Sequence, residues 1–263
     1  MLILDDIRVT FNGGTPSEVT ALNDVSLHVN AGDFVTIIGA NGAGKSTLFN
    51  IIAGTFLADR GRIVLDDNDI SNYAEYRRSN YIGRVFQNPG MGTCPGLSIY
   101  ENLKLASMRG RARTWRPGYQ RKDVERFREL LSQFDMGLEE RMDTDVAMLS
   151  GGQRQAITLL MATITQPKLL LLDEHTAALD PNAAVQILNL TEVLAEQFSL
   201  TVIMITHSMQ QACTIGNRIV MMNRGQIIDD IYDDERRTIN ADNLIERFRS
   251  LKNATLSDRS LLS

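Results

Sequence analysis

The chain has 263 residues, 43% of them hydrophobic and 22% charged, with a net charge of −5. That is the balance of an ordinary globular protein of one large or two modest domains, and it excludes a global basic field that would draw the chain onto nucleic acid or an anionic membrane. Cys94 and Cys213 form neither a CxxC nor a Cys/His cluster, which argues against zinc and against a disulfide framework. No run approaches the ~20 apolar residues that span a bilayer, and Met1-Leu2-Ile3-Leu4-Asp5-Asp6 does not read as a signal peptide.

Residues 2–11 alternate as a half-buried strand, and Val25-Ser26-Leu27-His28-Val29 does the same, with a turn cluster at Asn12-Gly13-Gly14-Thr15-Pro16 between them. Phe11 closes the first strand, and two readings are open for its ring: stacking on a nucleotide base, or an aromatic at a core or sheet edge. His28 reads as a surface histidine. Phe34-Val35-Thr36-Ile37-Ile38 is a β-branched apolar run of the kind that forms a buried strand. It leads into Gly39-Ala40-Asn41-Gly42-Ala43-Gly44-Lys45-Ser46-Thr47 and then a helix to Ala53.

That loop fits G-x-x-x-x-G-K-[ST] in the order it requires, strand before and helix after. Gly39, Gly42 and Gly44 let backbone N–H groups approach a chain of phosphates. The helix start adds partial positive charge and unpaired donors. Lys45 can reach the β- and γ-phosphates, and the Ser46 hydroxyl can ligate Mg²⁺.

Gly61–Asp66 and Asn80–Phe86 read as further strands, the second delivering Gln87 to its C-terminal end, where an amide can touch Mg²⁺ or a water or simply be a polar loop residue. From about Asn88 the pattern turns helical to roughly residue 165. Ser98-Ile99-Tyr100-Glu101 offers a capping box, and Val124, Phe127, Leu130, Leu131 and Phe134 share one stripe. Arg109 to Lys122 carries six basic residues, no acid and the only tryptophan, read as a solvated loop ahead of a contact with lipid headgroups or a partner. Leu149-Ser150-Gly151-Gly152-Gln153 opens another helix, with Ser150 at the cap and glycine-exposed donors that suit an anion.

Lys168-Leu169-Leu170-Leu171-Leu172-Asp173-Glu174 is a buried strand that ends in two carboxylates. Charge at the tip of an apolar strand is costly, so it points to function. With the phosphate loop present, Asp173 is placed to hold Mg²⁺ through water and Glu174 to polarise an attacking water, a reading taken ahead of a helix-capping acid pair. Thr201–Thr206 is one more buried strand, with His207 just past its end, able to bond a γ-phosphate or the water or simply to be a satisfied polar residue at a strand end. Arg218 to Ile228 reads as a hairpin, Met204, Met221 and Met222 as core fillers, and Leu244, Ile245, Phe248 and Leu251 as one face of a last helix. The Ser-rich end beyond Lys252 is expected to be loosely ordered.

Together these motifs resemble one family, the ATP-binding cassette ATPases, from Phe11 to about Ile228. Residues 39–47 match Walker A, Gln87 the Q-loop, 149–153 the LSGGQ signature and 168–173 Walker B. Glu174 matches the catalytic glutamate, Ala178-Leu179-Asp180 the D-loop, and His207 the switch histidine. One departure is His175, where the family usually has proline.

The resemblance implies an α/β P-loop NTPase (RecA-like) with a mostly parallel core, an N-terminal antiparallel β subdomain and an inserted α-helical subdomain. Residues 1–88 would hold the β subdomain and the first part of the core, and 89–165 the helical subdomain. The second part of the core would span 166–235, followed by a C-terminal helix and tail over 236–263. ATP and Mg²⁺ are the implied ligands. Phe11, Gly39, Asn41, Gly42, Gly44, Lys45, Ser46, Thr47 and Gln87 would contact nucleotide, and Ser46, Gln87 and Asp173 the metal, with Glu174 and His207 catalytic. Two cassettes, identical or not, would pair head to tail. Ser150, Gly151, Gly152 and Gln153 would then meet the γ-phosphate of the partner's ATP, and Asp180 would report across the interface.

The function implied is an importer's ATPase subunit, held on the inner face of the cell membrane by permease chains and served by a substrate-binding protein, with an amino acid as cargo and no nucleic-acid partner. The alternatives are a soluble cassette ATPase of the iron–sulfur assembly type and a regulator of a membrane complex.

Overall fold

A computed structural model describes residues 1–110 and 120–260, the last eight of them as backbone alone. Arg111, Arg113, Trp115 and Arg116 of the basic stretch lie outside the described residues. In chain order the elements are strands β1 (Leu2–Phe11), β2 (Val19–Val29) and β3 (Phe34–Gly39), then helix α1 (Lys45–Ala53). Strands β4 (Arg60–Leu65) and β5 (Asn68–Asp69), helix α2 (Glu75–Arg78) and strand β6 (Ile82–Val85) follow. Three helices, α3 (Ile99–Ser107), α4 (Arg121–Ser132) and α5 (Gly151–Thr163), precede β7 (Leu169–Asp173) and α6 (Pro181–Gln197). The chain closes with β8 (Thr201–Ile205), α7 (Met209–Thr214), β9 (Arg218–Asn223), β10 (Gln226–Ile231), α8 (Asp233–Thr238) and α9 (Ala241–Ser260).

These fall into two compact units. The first comprises Met1–Arg78 and Thr201–Ser263, and it holds two sheets. One is antiparallel, in the order β2-β1-β4-β5. Leu2, Leu4, Ile7 and Val9 of β1 point into its core. The spacing between Leu4 and Ile7 is three rather than two because the strand bulges there, with Asp6 at φ 49°. That bulge is why the alternation in residues 2–11 is only approximate. In the other sheet β3 lies parallel to both β8 and β9, and β10 returns antiparallel to β9. Val35, Thr36, Ile37 and Ile38 are all buried, the continuous burial of an inner parallel strand. Below it, Ile38, Ile219, Met221 and Ile231 pack with Leu244, Phe248 and Leu251 of α9. Helix α9 runs on to Ser260, past the Lys252 where loose order was expected.

The second unit is Ser79–Leu200. Here β6 and β7 pair in parallel, Val85 opposite Leu172, and the four leucines of β7 are fully buried. Around them are helices α3 to α6. The stripe expected on α4 is present, with Phe127 and Leu131 fully buried and the Phe127 ring 5.8 Å from that of Tyr100. Lys104 of α3 pairs with Asp123 of α4. The described ends of the basic stretch differ from one another. Arg109 is half-buried, and burial lowers its pKa, whereas Arg121 pairs with Glu125 in solvent.

Candidate functional site

The residues singled out in the sequence divide between the two units. The first unit carries Phe11, the loop 39–47 and His207. Strand β3 delivers the loop at its C-terminal end, and α1 begins one residue after Gly44, which sits at φ 98° as the N-cap. No side chain caps this helix, and a glycine cap leaves its first turn open to a ligand that brings acceptors of its own. A Cβ on Gly44 would stand 2.6 Å from the carbonyl oxygen of Ala21, and one on Gly39 would stand 2.4 Å from that of Met222. The glycines are therefore demanded by the walls behind the loop as well as by any ligand in front of it.

Lys45 is buried, and its Nζ donates to the carbonyls of Gly39 at 2.9 Å and Ala40 at 3.1 Å. Asn41, Gly42 and Ser46 are exposed and Thr47 is half-buried. Phe11 is exposed at the end of β1, with its ring edge-on to Phe56 at 5.8 Å. Thr206 donates its N–H to Ile37 at 3.2 Å, so β8 runs out beside β3 and sets exposed His207 at the same end of the sheet as the loop. The turn around His207 is braced by Thr206 Oγ1, which donates to Gln211 Oε1 at 2.6 Å and accepts from the Ser208 N–H at 3.1 Å.

The second unit carries the rest. Gln87 is exposed two residues past β6, one step before Asn88, whose side chain accepts from the Gly90 N–H at 2.9 Å. Asp173 ends β7, and Arg84 on β6 lies 3.7 Å from its carboxylate. Glu174 follows at φ 46°, a left-handed conformation uncommon outside glycine. His175 is buried, with its Nε2 3.2 Å from the Thr191 hydroxyl, and burial pushes its pKa down to about 4. Asp180 caps α6, accepting the Ala183 N–H at 3.0 Å, and Pro181 takes the first helical position.

The signature forms a reciprocal capping box. Ser150 Oγ accepts from the Gln153 N–H at 3.2 Å, and Gln153 Oε1 accepts from the Ser150 N–H at 3.3 Å. Ser150 and Gly151 are exposed. Gly152 is buried, and a Cβ there would be 3.0 Å from that of Ala183.

Sequence reasoning missed two supports. Gly225, in the β9–β10 turn, donates its N–H to the Ala43 carbonyl at 2.9 Å and so backs the phosphate loop. Arg78 is almost fully buried against the far end of α1. The Asn-Arg-Gly turn was a visible signal for the first. A pair of adjacent arginines in a polar stretch gave none for the second.

The family model described as ABC transporter matches residues 22–177. A tyrosine transport ATP-binding protein of Clostridioides difficile is 37% identical over 94% of this chain and 98% of its own length. A spermidine/putrescine import ATP-binding protein of Haemophilus influenzae is 36% identical over 82% of this chain, which spans 56% of that longer protein. Among solved structures, the ADP conformation of an ATP-binding cassette superimposes with a TM-score of 0.76 at 28% identity, covering 95% of this chain and 98% of that one. A dimeric post-hydrolysis cassette bound to ADP and Pi gives 0.75 at 28% identity, covering 88% and 98%. The fold is that of the P-loop cassette ATPases. With its phosphate loop, signature and acid-tipped strand in family order, the chain belongs to the ABC transporter family and is an ATP-hydrolysing cassette coupled to transport.

Proposed function

We propose that this cassette pairs head to tail around two ATP molecules and powers the import of a small solute, with an amino acid as the leading class. The observation that carries the nucleotide site is the uncapped start of α1 at Gly44, beside a buried Lys45 held on the loop's own carbonyls. Phosphates would draw on the N–H groups of that helix start, and the Lys45 ammonium would turn from Gly39 and Ala40 to the more strongly charged oxygens. Asn41, Gly42 and Thr47 complete the cradle, and Phe11 offers a ring for the base. Ser46, Gln87 and Asp173 supply only oxygen donors, the set that suits Mg²⁺. Bound there, the ion would neutralise charge on the phosphates.

Hydrolysis follows from the acids and His207. Glu174 accepts a hydrogen bond from the attacking water, the water oxygen bonds to the γ-phosphorus as the bond to the β–γ bridging oxygen breaks, and the water's proton passes to the phosphate oxygens, leaving ADP and inorganic phosphate. His207 holds the γ-phosphate or the water. Ser150, Gly151, Gly152 and Gln153 would reach ATP held mainly by the partner cassette, and Asp180 would sense that interface. This gives a purpose to a second glycine-bearing helix start suited to an anion, at Ser150 and Gly151, besides the one at Gly44.

Among the described residues no helix is long and apolar enough to cross a membrane, so permease chains would supply the path and hold the cassette on the inner face of the cell membrane. Residues 89–165 are the helical subdomain that would receive them, between core segments 1–88 and 166–235, with 236–263 as the closing helix and tail. A cleft of about 630 Å³ on that subdomain is lined by Leu97, Tyr100, Leu105 and Met108 together with charged Glu101 and Lys104, a mixture that would suit an amphipathic docking helix. The amino-acid assignment is supported by the tyrosine transport relative, matched over nearly its full length.

The test is a pull-down of tagged Glu174→Gln protein with ATP from detergent-solubilised membranes of its own cell. A stoichiometric polytopic protein is the expected companion, and a substrate-binding protein encoded beside it would name the cargo. Soluble partners alone would move the assignment to an assembly ATPase.

A further inference from the structure

His175 has no part in the chemistry above, yet it is 2% exposed and follows directly on Glu174. Its Nε2 lies 3.2 Å from Oγ1 of Thr191, a residue of α6 that is itself fully buried. The bonding fixes the direction of that contact. The Thr191 hydroxyl gives its one proton to the Ile187 carbonyl at 2.7 Å, and a carbonyl can only accept. Toward the ring, therefore, Thr191 has only lone pairs, and the imidazole proton resides on Nε2.

The backbone on the other side of the ring is a turn. The Glu174 carbonyl accepts the Ala177 N–H at 2.9 Å, which makes His175 the second residue of a four-residue turn opened by the glutamate. Glu174 holds its left-handed φ of 46° there, a state that persists only where surroundings enforce it. At this second position proline would restrain a turn through its ring. This chain lacks that internal restraint and has instead a side chain tied from outside to a helix.

We propose that His175 is a positioning residue. Through Thr191 it fixes the turn from which the Glu174 carboxylate projects, so that the carboxylate meets the attacking water in one orientation. Helix α6 begins at the Asp180 cap, so the same tether joins the glutamate's turn to the helix that opens at the D-loop. The inference rests on the reading of Glu174 as the residue that polarises water.

The test is steady-state ATP hydrolysis by the full chain, with kcat and KM for ATP measured separately and the unfolding midpoint recorded for every variant. His175→Ala and the near-isosteric Thr191→Val should each lower kcat about ten- to a hundredfold with KM for ATP within about twofold. The double variant should be no worse than the poorer single one, because both remove one bond. His175→Gln places an amide N–H where Nε2–H stands and should regain most of kcat. His175→Asn, one bond shorter, should not.

Wild-type kcat in Thr191→Val, or equal losses in His175→Ala and His175→Gln, would overturn the tether. Glu174→Gln in the same assay separates the two levels. If it turns over normally, the role of Glu174 fails and the tether with it. If it is inactive while Thr191→Val is normal, the tether alone is wrong.

Discussion

Nη1 of Arg78 donates to the carbonyl oxygen of Ile51 at 2.7 Å, closing the end of α1 opposite the phosphate loop. The same nitrogen serves Ile52 at 3.0 Å, while Nε and Nη2 donate to Tyr73 and Ser71, each at 2.9 Å. Four carbonyls thus share one guanidinium, which neutralises the negative end of the helix dipole. Burial pushes the Arg78 pKa down to about 10, so the group stays charged at neutral pH.

Arg78→Ala should therefore leave helix-end carbonyls buried and unbonded, a loss of about 3 kcal/mol or more in unfolding free energy. Urea denaturation of the nucleotide-free protein reads it. Arg78→Lys keeps the charge but has no planar fork to reach four acceptors, and it should fall between wild type and alanine.

Lys45→Ala removes a buried ammonium whose partners here are two loop carbonyls. Those carbonyls belong to half-buried residues of the loop itself, so the fold should suffer little and nucleotide affinity much. A charge-assisted bond is worth about 1.5–3 kcal/mol, so the Kd for ATP should rise about ten- to a hundredfold. Calorimetric titration checks it, and unchanged affinity would remove Lys45 from the phosphate site.

Glu174→Gln preserves shape and hydrogen-bond acceptance by its carbonyl oxygen while removing the charge that draws on the water. Hydrolysis should fall at least about a hundredfold with ATP affinity retained. Light scattering with ATP and Mg²⁺ should then report a dimer. A variant that stays monomeric would contradict the head-to-tail pair.

The buried ring of His175 makes stability depend on pH. In the unfolded chain histidine takes a proton near its ordinary value of 6.5, and in the folded protein only near 4. Between those values the unfolded state binds more protons. The stabilising contribution is thus complete above about pH 6.5 and lost as pH falls toward 4, by about 3 kcal/mol in all. Denaturation of the nucleotide-free protein across that window should show the loss, and His175→Gln should flatten that part of the profile.

What could be read in the sequence was whatever the chain writes contiguously. Four leucines before Asp173 and Glu174 announce a buried strand with an acid tip, and both capping boxes are spelled within four residues. What could not be read depends on distant partners. Arg78 finds its acceptors up to 27 residues away, on a helix it does not touch in sequence. Gln155 is the sharper case. A glutamine just inside a polar helix start reads as solvent-facing, yet it is fully buried, and neither amide atom has a protein partner among the described residues. The bulge at Asp6 likewise shifts the period of β1 through backbone geometry that its side chains do not signal.

The missing cap on α1 also bears on how long the protein lasts in a cell. A helix start left for a ligand to complete makes the empty form the weaker one, and nucleotide at a hundred times its Kd adds about 2.7 kcal/mol by mass action alone. Each such increment thins the population of opened molecules that proteases can cut. A bound nucleotide would thereby lengthen the cassette's lifetime.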